Sequence, residues 1–568
     1  MRSRLTSSHF VGRAGELAEL QRAFDDAASG HPGLVLVGGD SGVGKTRLVS
    51  EFEQRLALLA EEAAVGGSGA PGVIFLRGQS LEQSDGDLPY APLLGALRPV
   101  VRGRHEALAE LSAGDRSQLA TILPGLEEDG RERDQRPDPS GQLRLFEAIL
   151  ELLEILAECE PLVLALEDVH WADRSTRAFI AFAARSLRQT RVLLLLSYRT
   201  DELHRRHPLR PLLSELERLD RARRIDLQPF DRDELTEALT DILGSVPDAS
   251  LRNRLFERSE GNPLYTEELL AAGLDGRGAP PQSLRDAFIA RIEQLSPDAQ
   301  RIARVVSVGR VLDEATFVAV TGMDLDAVQA ALHDAVAEQV LIPCDVTGFG
   351  FRHALLREAL HDDLLPGERS ELHLALAHQL ELDCGSDDEQ ELERKTAIAG
   401  HYAAAGDQPA ALRSTIAAAR AAQRVFAFGE AADLADRALE LWPRVQDPEQ
   451  VAGVAHVELL QIGARAHGDA GKRTRAESLL REALRELGPH ADPERYAYLL
   501  ARLSRTIWML NQGAEAVAAA ERALAILPGD EPAGVRSLIL AWLARMRLLR
   551  GNFQDAVADG ERALGLAV

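Results

Sequence analysis

The stretch Gly39-Asp40-Ser41-Gly42-Val43-Gly44-Lys45-Thr46 fits the pattern G-x-x-x-x-G-K-[ST], and its residue types suit the holding of a phosphate chain. Gly39, Gly42 and Gly44 let the backbone turn tightly, so that successive N–H groups along Ser41, Val43 and their neighbours can aim at phosphate oxygens. Lys45 reaches β- and γ-phosphates as a point charge, and the Thr46 hydroxyl is a ligand for Mg²⁺. The loop's flanks supply the context that such a pattern requires. Leu34 to Val37 reads as a short buried strand. After Thr46, the residues Leu48, Val49, Phe52, Leu56 and Leu59 recur at helical spacing, so the loop opens a helix whose N-terminus favours an anion.

Phosphate chemistry also needs acids at the end of a neighbouring strand, to hold Mg²⁺ and orient water. Pro161-Leu162-Val163-Leu164-Ala165-Leu166-Glu167-Asp168 is an apolar strand that ends in two acids. Successive strand residues face opposite ways, so Glu167 is assigned the metal side, through water, and Asp168 the polarising of water. The two roles could be exchanged, and the plain alternative is a strand-end acid that caps the next turn.

These residues need a frame. Short apolar strands alternate with helical segments up to residue 230, which predicts a parallel α/β sheet. The strands are Leu34 to Val37, Val73 to Arg77, Leu162 to Glu167, Val192 to Ser197 and Arg224 to Leu227, with loops at Ala63 to Gly72 and Asp129 to Gly141. Asp231-Arg232-Asp233-Glu234-Leu235 reads as a capped helix start, and Gly273 to Pro281 as a linker. Residues 283 to 340 read as helical. An apolar stretch from Val340 to Pro343, a turn at Asp345 to Gly348, and Phe349 to Arg352 follow, which suggests a winged helix. The acidic stretch Asp383 to Glu391 marks another boundary. Beyond it the chain reads as helical and repetitive. Ala438-Leu439, Ala483-Leu484, Ala523-Leu524 and Ala563-Leu564 each follow a small-residue turn, at Gly429-Glu430, Gly471-Lys472, Gly513-Ala514 and Gly551-Asn552. Small residues where paired helices cross point to tetratricopeptide-like repeats, against an ordinary Ala-rich bundle.

The whole chain sets outer limits. Its 568 residues exceed one core and imply roughly three to five domains. With 64 basic and 89 acidic side chains the net charge is −25, a poor balance for holding nucleic acid, which is gripped mainly through its phosphates. Arg221, Arg223 and Arg224 form a short basic run, read as a solvated loop before a strand. Cys159, Cys344 and Cys384 stand far apart, giving neither a disulfide frame nor a thiolate metal site. No histidine pair has metal-binding spacing. The N-terminus lacks a secretory apolar run, and the longest apolar runs are strand-length, so a cytoplasmic protein without a membrane span is expected.

Five segments occur in order: Phe10-Val11-Gly12-Arg13, the phosphate loop, Leu88-Pro89-Tyr90-Ala91-Pro92, Glu167 to Asp173 (EDVHWAD), and Gly261-Asn262-Pro263-Leu264-Tyr265. As a set they resemble the LuxR-type large ATP-binding regulators, a branch of the STAND signal-transduction P-loop NTPases, well over residues 8 to 445 and more loosely over the repeats. The resemblance implies a multidomain fold: an AAA-type NTPase core over 1–230, a helical lid over 231–280, a winged helix over 281–385 and tetratricopeptide-like repeats over 390–568. It implies ATP or ADP with Mg²⁺ as ligands. Val11, Gly12 and Arg13 would lie against adenine and ribose, Arg199 would read the γ-phosphate, and Pro263 would pack on the base. His353 is similar in position to a histidine that contacts the β-phosphate of ADP, although a helix-capping histidine explains it as readily. His170-Trp171 could pack the sheet rim or touch nucleotide.

Two departures stand out. Ala14 replaces the usual acid after the Gly-Arg pair, and Glu167 stands where Asp is common, so hydrolysis is expected to be slow. Regulators of this type end in a DNA-binding helix-turn-helix, whereas this sequence stops at Ala567-Val568, so contact with DNA is expected only through a module outside it. The reading is an ATP-driven switch acting in transcription. An inducer or protein partner would bind the repeats, and the chain would self-associate according to its nucleotide. The alternatives are a nucleotide-stabilised scaffold and the regulatory module of a cyclase-like enzyme.

Overall fold

The structure is a computed structural model that describes residues 7, 9–65, 72–80, 88–103, 105–123, 126, 141–274, 284–309, 311–344, 348–382, 391–527 and 533–567. Most of the two early loops, the linker after Leu274, the turn at 345–347 and the acidic stretch 383–390 lie outside the described residues. The chain divides into two compact units, the first reaching to residue 390 and the second formed chiefly by 391–403 and 407–568.

In the first unit, five strands form one parallel sheet: β1 (Gly33–Gly39), β2 (Ile74–Gln79), β3 (Leu162–Glu167), β4 (Val192–Arg199) and β5 (Ala222–Leu227). Their order is β2-β3-β4-β1-β5. All five predicted strands are present, most of them longer than their apolar runs. Both faces of the sheet are buried, which is why the strands read as continuous apolar runs. Val35, Val37, Val163 and Leu195 pack against Leu17, Leu20 and Phe24 of the helix Ala14–Ala28 and against Leu48, Val49, Phe52 and Leu56 of the helix Lys45–Val65. Leu59, expected on that same face, is 51% exposed, because the helix outruns the sheet it covers. Arg223 and Arg224 belong to β5 rather than to a loop. They pair with Glu19 and Asp26, and with Glu217 and Asp226.

Three helices follow, Arg232–Leu243, Ala249–Ser259 and Pro263–Leu274, joined by Leu235, Leu239, Ile242, Leu255, Leu269 and Leu270. The first opens on a capping box between Asp231 and Glu234, which satisfies two otherwise orphan N–H groups. Further on, helices from Leu284 to Leu382 pack around Phe288, Ile302, Val306, Phe317, Leu341 and Leu356. The region 283–340 is not wholly helical: β6 (Leu312–Asp313) interrupts it and joins β7 (Leu341–Cys344) and β8 (Gly348–Phe351) in an antiparallel sheet of order β6-β8-β7. The expected hairpin has thus gained a third strand, as the wing of a winged helix.

Among the described residues, the second unit contains four helical hairpins. They are Gln408–Arg424 with Phe428–Leu441, His456–Asp469 with Arg473–Leu487, Pro493–Met509 with Gly513–Ile526, and Ala533–Leu549 with Phe553–Ala567. Ala438, Ala483 and Ala523 are fully buried on the second helices and Ala563 nearly so, so methyl groups set the close approach of successive helices. The predicted turns need correction at two places, because Gly429 and Gly513 lie inside helices. Each turn is made by a residue of positive φ two positions before the second helix: Phe426, Gly471, Asn511 and Gly551. Only two of the four are glycine, since a single left-handed residue costs a non-glycine little against a packed hairpin.

Candidate functional site

β1 lies between β4 and β5, and its register sets Gly39 opposite Arg199. β3 lies on the other side of β4. The phosphate loop, the Glu167-Asp168 pair and Arg199 therefore meet at the carboxyl end of one sheet, where strand order reverses and α/β folds form their crevice.

The loop itself is held from three sides. Lys45 is buried, and its Nζ donates to the Gly39 and Asp40 carbonyls at 2.8 and 2.9 Å. Burial lowers its pKa to about 8, with the Asp168 carboxylate opposing the shift. The end of β4 is stitched to the loop: Thr200 Oγ1 donates to Asp40 Oδ1 at 2.6 Å, and the Ser41 N–H donates to Asp201 Oδ2 at 3.3 Å. From the lid, Asn262 Nδ2 donates to the Ser41 carbonyl at 2.8 Å and the Leu264 N–H to the Gly42 carbonyl at 3.3 Å. Gly42 has φ +78°, and a Cβ there would stand 2.9 Å from Asn262 Oδ1. Glycine is needed at that point both for the turn and for the lid's approach. The helix opening at Lys45 has first-turn N–H groups without intrahelical acceptors, a cradle fit for phosphate oxygens.

The two acids separate as strand geometry requires. Glu167 is 2% exposed; the Thr46 hydroxyl hydrogen-bonds it, and the Arg77 guanidinium of β2 pairs with its Oε1. Burial pushes its pKa up, Arg77 opposing the shift. Its Oε2 is buried with no hydrogen-bond partner among the described residues, which suits a further cationic or water ligand. Asp168 caps nothing with its side chain. It accepts from Gln79 Nε2 at 3.3 Å, and its charge acts on Lys45 and Arg199. Arg77 escaped the sequence reading, although an arginine ending an otherwise apolar strand was a visible signal. It also donates to Ser50 Oγ at 3.0 Å.

Arg199 is 5% exposed. Its guanidinium stacks on the Trp171 ring at 4.2 Å and reaches two carboxylates, Glu202 at 2.5 Å and Glu358 at 3.4 Å. Glu358 belongs to the helix Ala354–Asp363 that follows the wing. His170 is not a rim residue: it is buried beneath this arginine, and its Nδ1 accepts the Arg199 N–H at 3.3 Å. Burial and the nearby Arg199 charge lower its pKa to about 2. It is therefore neutral, with its proton on Nε2.

A largely apolar cleft adjoins the loop, lined by Phe10, Val11, Val43, Phe230, Ile242 and Pro263 among others. Its apolar walls suit a flat heterocycle. Arg13 lines it too, but its guanidinium is taken by the Gln228 carbonyl and Glu16, and it stacks over Phe230 at 5.4 Å. Gly12 has φ +66°, and a Cβ there would press on Glu234 of the capping box. Gly12 and Arg13 thus fasten the entering chain to the lid's first helix. Arg47 also escaped the sequence reading. It donates to the carbonyls of Ser7 and His9, both at 2.7 Å, and so holds the cleft's rim. His353 stands at the N-cap of its helix but makes no capping hydrogen bond, which sets aside the capping alternative. Burial and the charges of Arg352 and Arg291 lower its pKa to about 4.

A protein of Rhizobium meliloti (strain 1021), described as uncharacterized, is 25% identical over 501 residues, 81% of this chain. The chain spans 45% of that relative's length. A STAND ATPase with a tetratricopeptide repeat sensor from Pyrococcus horikoshii is similar over 99% of this chain and 78% of its own, at 14% identity and a TM-score of 0.43. The ORC2 protein of Aeropyrum pernix, solved with ADPNP and ADP, covers 66% of this chain and 96% of its own, at 15% identity and a TM-score of 0.28. Residues 9–196 match the family described as the AAA ATPase domain, so this part of the chain carries an AAA ATPase domain, with the phosphate loop and the Glu167-Asp168 pair inside it.

Proposed function

We propose that this chain is an ATP-driven regulatory switch of the STAND type, acting in transcription as LuxR-type large ATP-binding regulators do. The observation that carries the reading is the double engagement of Arg199. This arginine stands at the phosphate-loop end of β4, yet it is bonded to Glu358 of the helix after the wing. A γ-phosphate would compete with Glu358 for the same guanidinium, so the nucleotide state and the hold on that helix become one equilibrium.

The remaining residues take matching parts. Lys45 and the opening N–H groups of its helix bind the phosphates, Val11, Val43 and Pro263 hold the base, and Asn262 ties the lid to the loop. Thr46 and, through water, Glu167 would hold Mg²⁺, which when bound neutralises charge between β- and γ-phosphates. Asp168 orients the attacking water. Turnover is slow, because Glu167 is already engaged by Arg77 and Thr46, so hydrolysis times the switch. His353 reports to the β-phosphate side, and the helical repeats sense an inducer or partner.

Size-exclusion chromatography with light scattering, run in ADP and in a non-hydrolysable ATP analogue, tests this. A larger mass with the analogue is expected, and it should vanish in Lys45→Ala together with ATP binding in calorimetry. Equal masses in both nucleotides, or undiminished affinity in Lys45→Ala, would sink the switch.

A further inference from the structure

Arg77 stands between two carboxylates. In the register of β2 on β3 it lies opposite Ala165, so it shares a sheet face with Glu167, two residues farther along β3. Its Nε pairs with Glu167 Oε1, while its Nη1 donates to Ser50 Oγ at 3.0 Å and reaches Glu53 Oε2 at 3.4 Å. Thr46, Ser50 and Glu53 recur at i, i+4 and i+7 on the helix Lys45–Val65, which sets them on one face. A polar stripe thus runs from the Thr46 hydroxyl, which hydrogen-bonds Glu167, through Arg77 to Glu53. The two carboxylates differ in their surroundings. The Glu167 side chain is 3% exposed and that of Glu53 38%, with Arg77 at 33%. Lys45 is spent on the Gly39 and Asp40 carbonyls, and Arg77 is the cation that acts most strongly on Glu167.

We propose that Arg77 is an exchangeable counter-ion, a positioning residue that neutralises Glu167 in the free protein and passes to Glu53 when Mg²⁺ binds. It thereby sets how strongly nucleotide and metal bind together. The inference rests on the ATP reading above and adds to it a residue that regulates the metal side. A buried carboxylate left without a cation is costly, so the free protein needs one beside Glu167. Two cations on a single buried carboxylate repel each other through poorly screened space, so the arginine and the metal cannot both hold it well. Glu167 Oε2 is buried without a hydrogen-bond partner among the described residues, which leaves it as the acceptor for the metal or its water, while Arg77 holds Oε1. A pair built only for packing has no use for a second carboxylate at 3.4 Å. An exchanging pair needs one, because the guanidinium would otherwise give up its partner without a replacement. Solvent reaches both Arg77 and Glu53, so the move requires no opening of the sheet.

The test is the Mg²⁺ coupling of nucleotide binding. It is the ratio of dissociation constants for a non-hydrolysable ATP analogue, measured calorimetrically on the full chain in EDTA and in excess MgCl₂. The ratio should rise by about fivefold in Arg77→Met, where no resident cation has to leave Glu167. Arg77→Lys keeps a point charge without the fork and should stay nearer the wild type. Glu53→Gln should lower the ratio, because the arginine then has no carboxylate to move to. Arg55→Gln lies on the same helix, paired with Glu51, and should leave the ratio unchanged; a rise equal to that of Arg77→Met would reduce the effect to general charge and overturn the exchange. If Arg77 only orients Glu167 for the metal, Arg77→Met lowers the ratio, and that result or an unchanged ratio overturns the proposal. Should Arg77→Met fail to fold, Glu53→Gln decides, and an unchanged ratio there overturns it. Thermal melting gives a second readout: the analogue with Mg²⁺ should raise the midpoint of Arg77→Met more than that of the wild type. Failure of the wild type to bind the analogue overturns the ATP reading and this inference with it, whereas binding that is lost in Lys45→Ala but has the same ratio in Arg77→Met overturns this inference alone.

Discussion

The two units bury different things. At the carboxyl end of the parallel sheet the molecule buries charge: Lys45, Glu167, Asp168 and Arg199 are each no more than 8% exposed. Every one is held by a named partner, from the Gly39 carbonyl to Glu358. In the helical hairpins the buried surface is chiefly methyl and isobutyl, from Ala438, Ala483 and Ala523 to Leu480 and Leu500, and the few buried charges, such as Arg536 and Asp559, are held by the Leu527 carbonyl and by Arg547. Buried charge is tolerated only where it is matched and where it does something. Buried alanine is chosen for shape. One unit is therefore read chiefly through its electrostatics and the other chiefly through its packing.

If that contrast is right, the largest stability loss comes from unmatching a buried charge. Arg77→Met leaves Glu167 buried without its cation, and should cost about 3 kcal/mol in the limit of full burial, nearer about 2 kcal/mol because Arg77 is partly solvated. Glu167 would then hold a proton more readily, because burial raises its pKa and Arg77 no longer opposes that rise. A thermal midpoint unchanged in Arg77→Met would break the comparison from the first unit's side. In the repeats the matching insult is steric. Ala483→Leu adds volume at a fully buried crossing and should cost about 2 kcal/mol, with no change in nucleotide affinity. A variant that melts like the wild type would mean that the hairpins are loosely packed.

A gentler probe is pH. Lys45 in the free protein has a pKa of about 8, below its ordinary 10.5. A depressed lysine makes the unfolded state the better proton binder between those values, so stability should rise as pH climbs from about 8 to about 10.5. Phosphate needs the charged form, so ATP affinity should fall by roughly tenfold per unit over the same window. Calorimetry at pH 7, 8, 9 and 10 reads both trends against Lys45→Ala, and an affinity flat across that range would show that the ammonium is not the phosphate's partner.

Much of the first unit was legible before any coordinates. Local rules cover glycines in a phosphate loop, an apolar strand ending in Glu167-Asp168, and a capping box at Asp231 and Glu234, because each is made by residues close in the chain. The hidden partners were distant ones: Arg77 for Glu167, Glu358 for Arg199, Arg47 for the cleft's rim. A pairing across 90 or 159 positions leaves no periodicity to read. In the repeats the alanines pointed to the crossings, but the turn residues were misread at Gly429 and Gly513, since a packed hairpin can impose positive φ on Phe426 or Asn511.

By itself the sequence determined the order of elements, the buried faces and the residue types able to hold a phosphate, all of which follow from periods of two and 3.6 residues and from backbone sterics. Only the tertiary structure decided which charges meet. Parallel strand order brings Gly39 beside Arg199, the lid sets Asn262 on the loop, and the helix Ala354–Asp363 brings Glu358 to Arg199. Burial makes each of those meetings worth free energy that an exposed charge would lose to water.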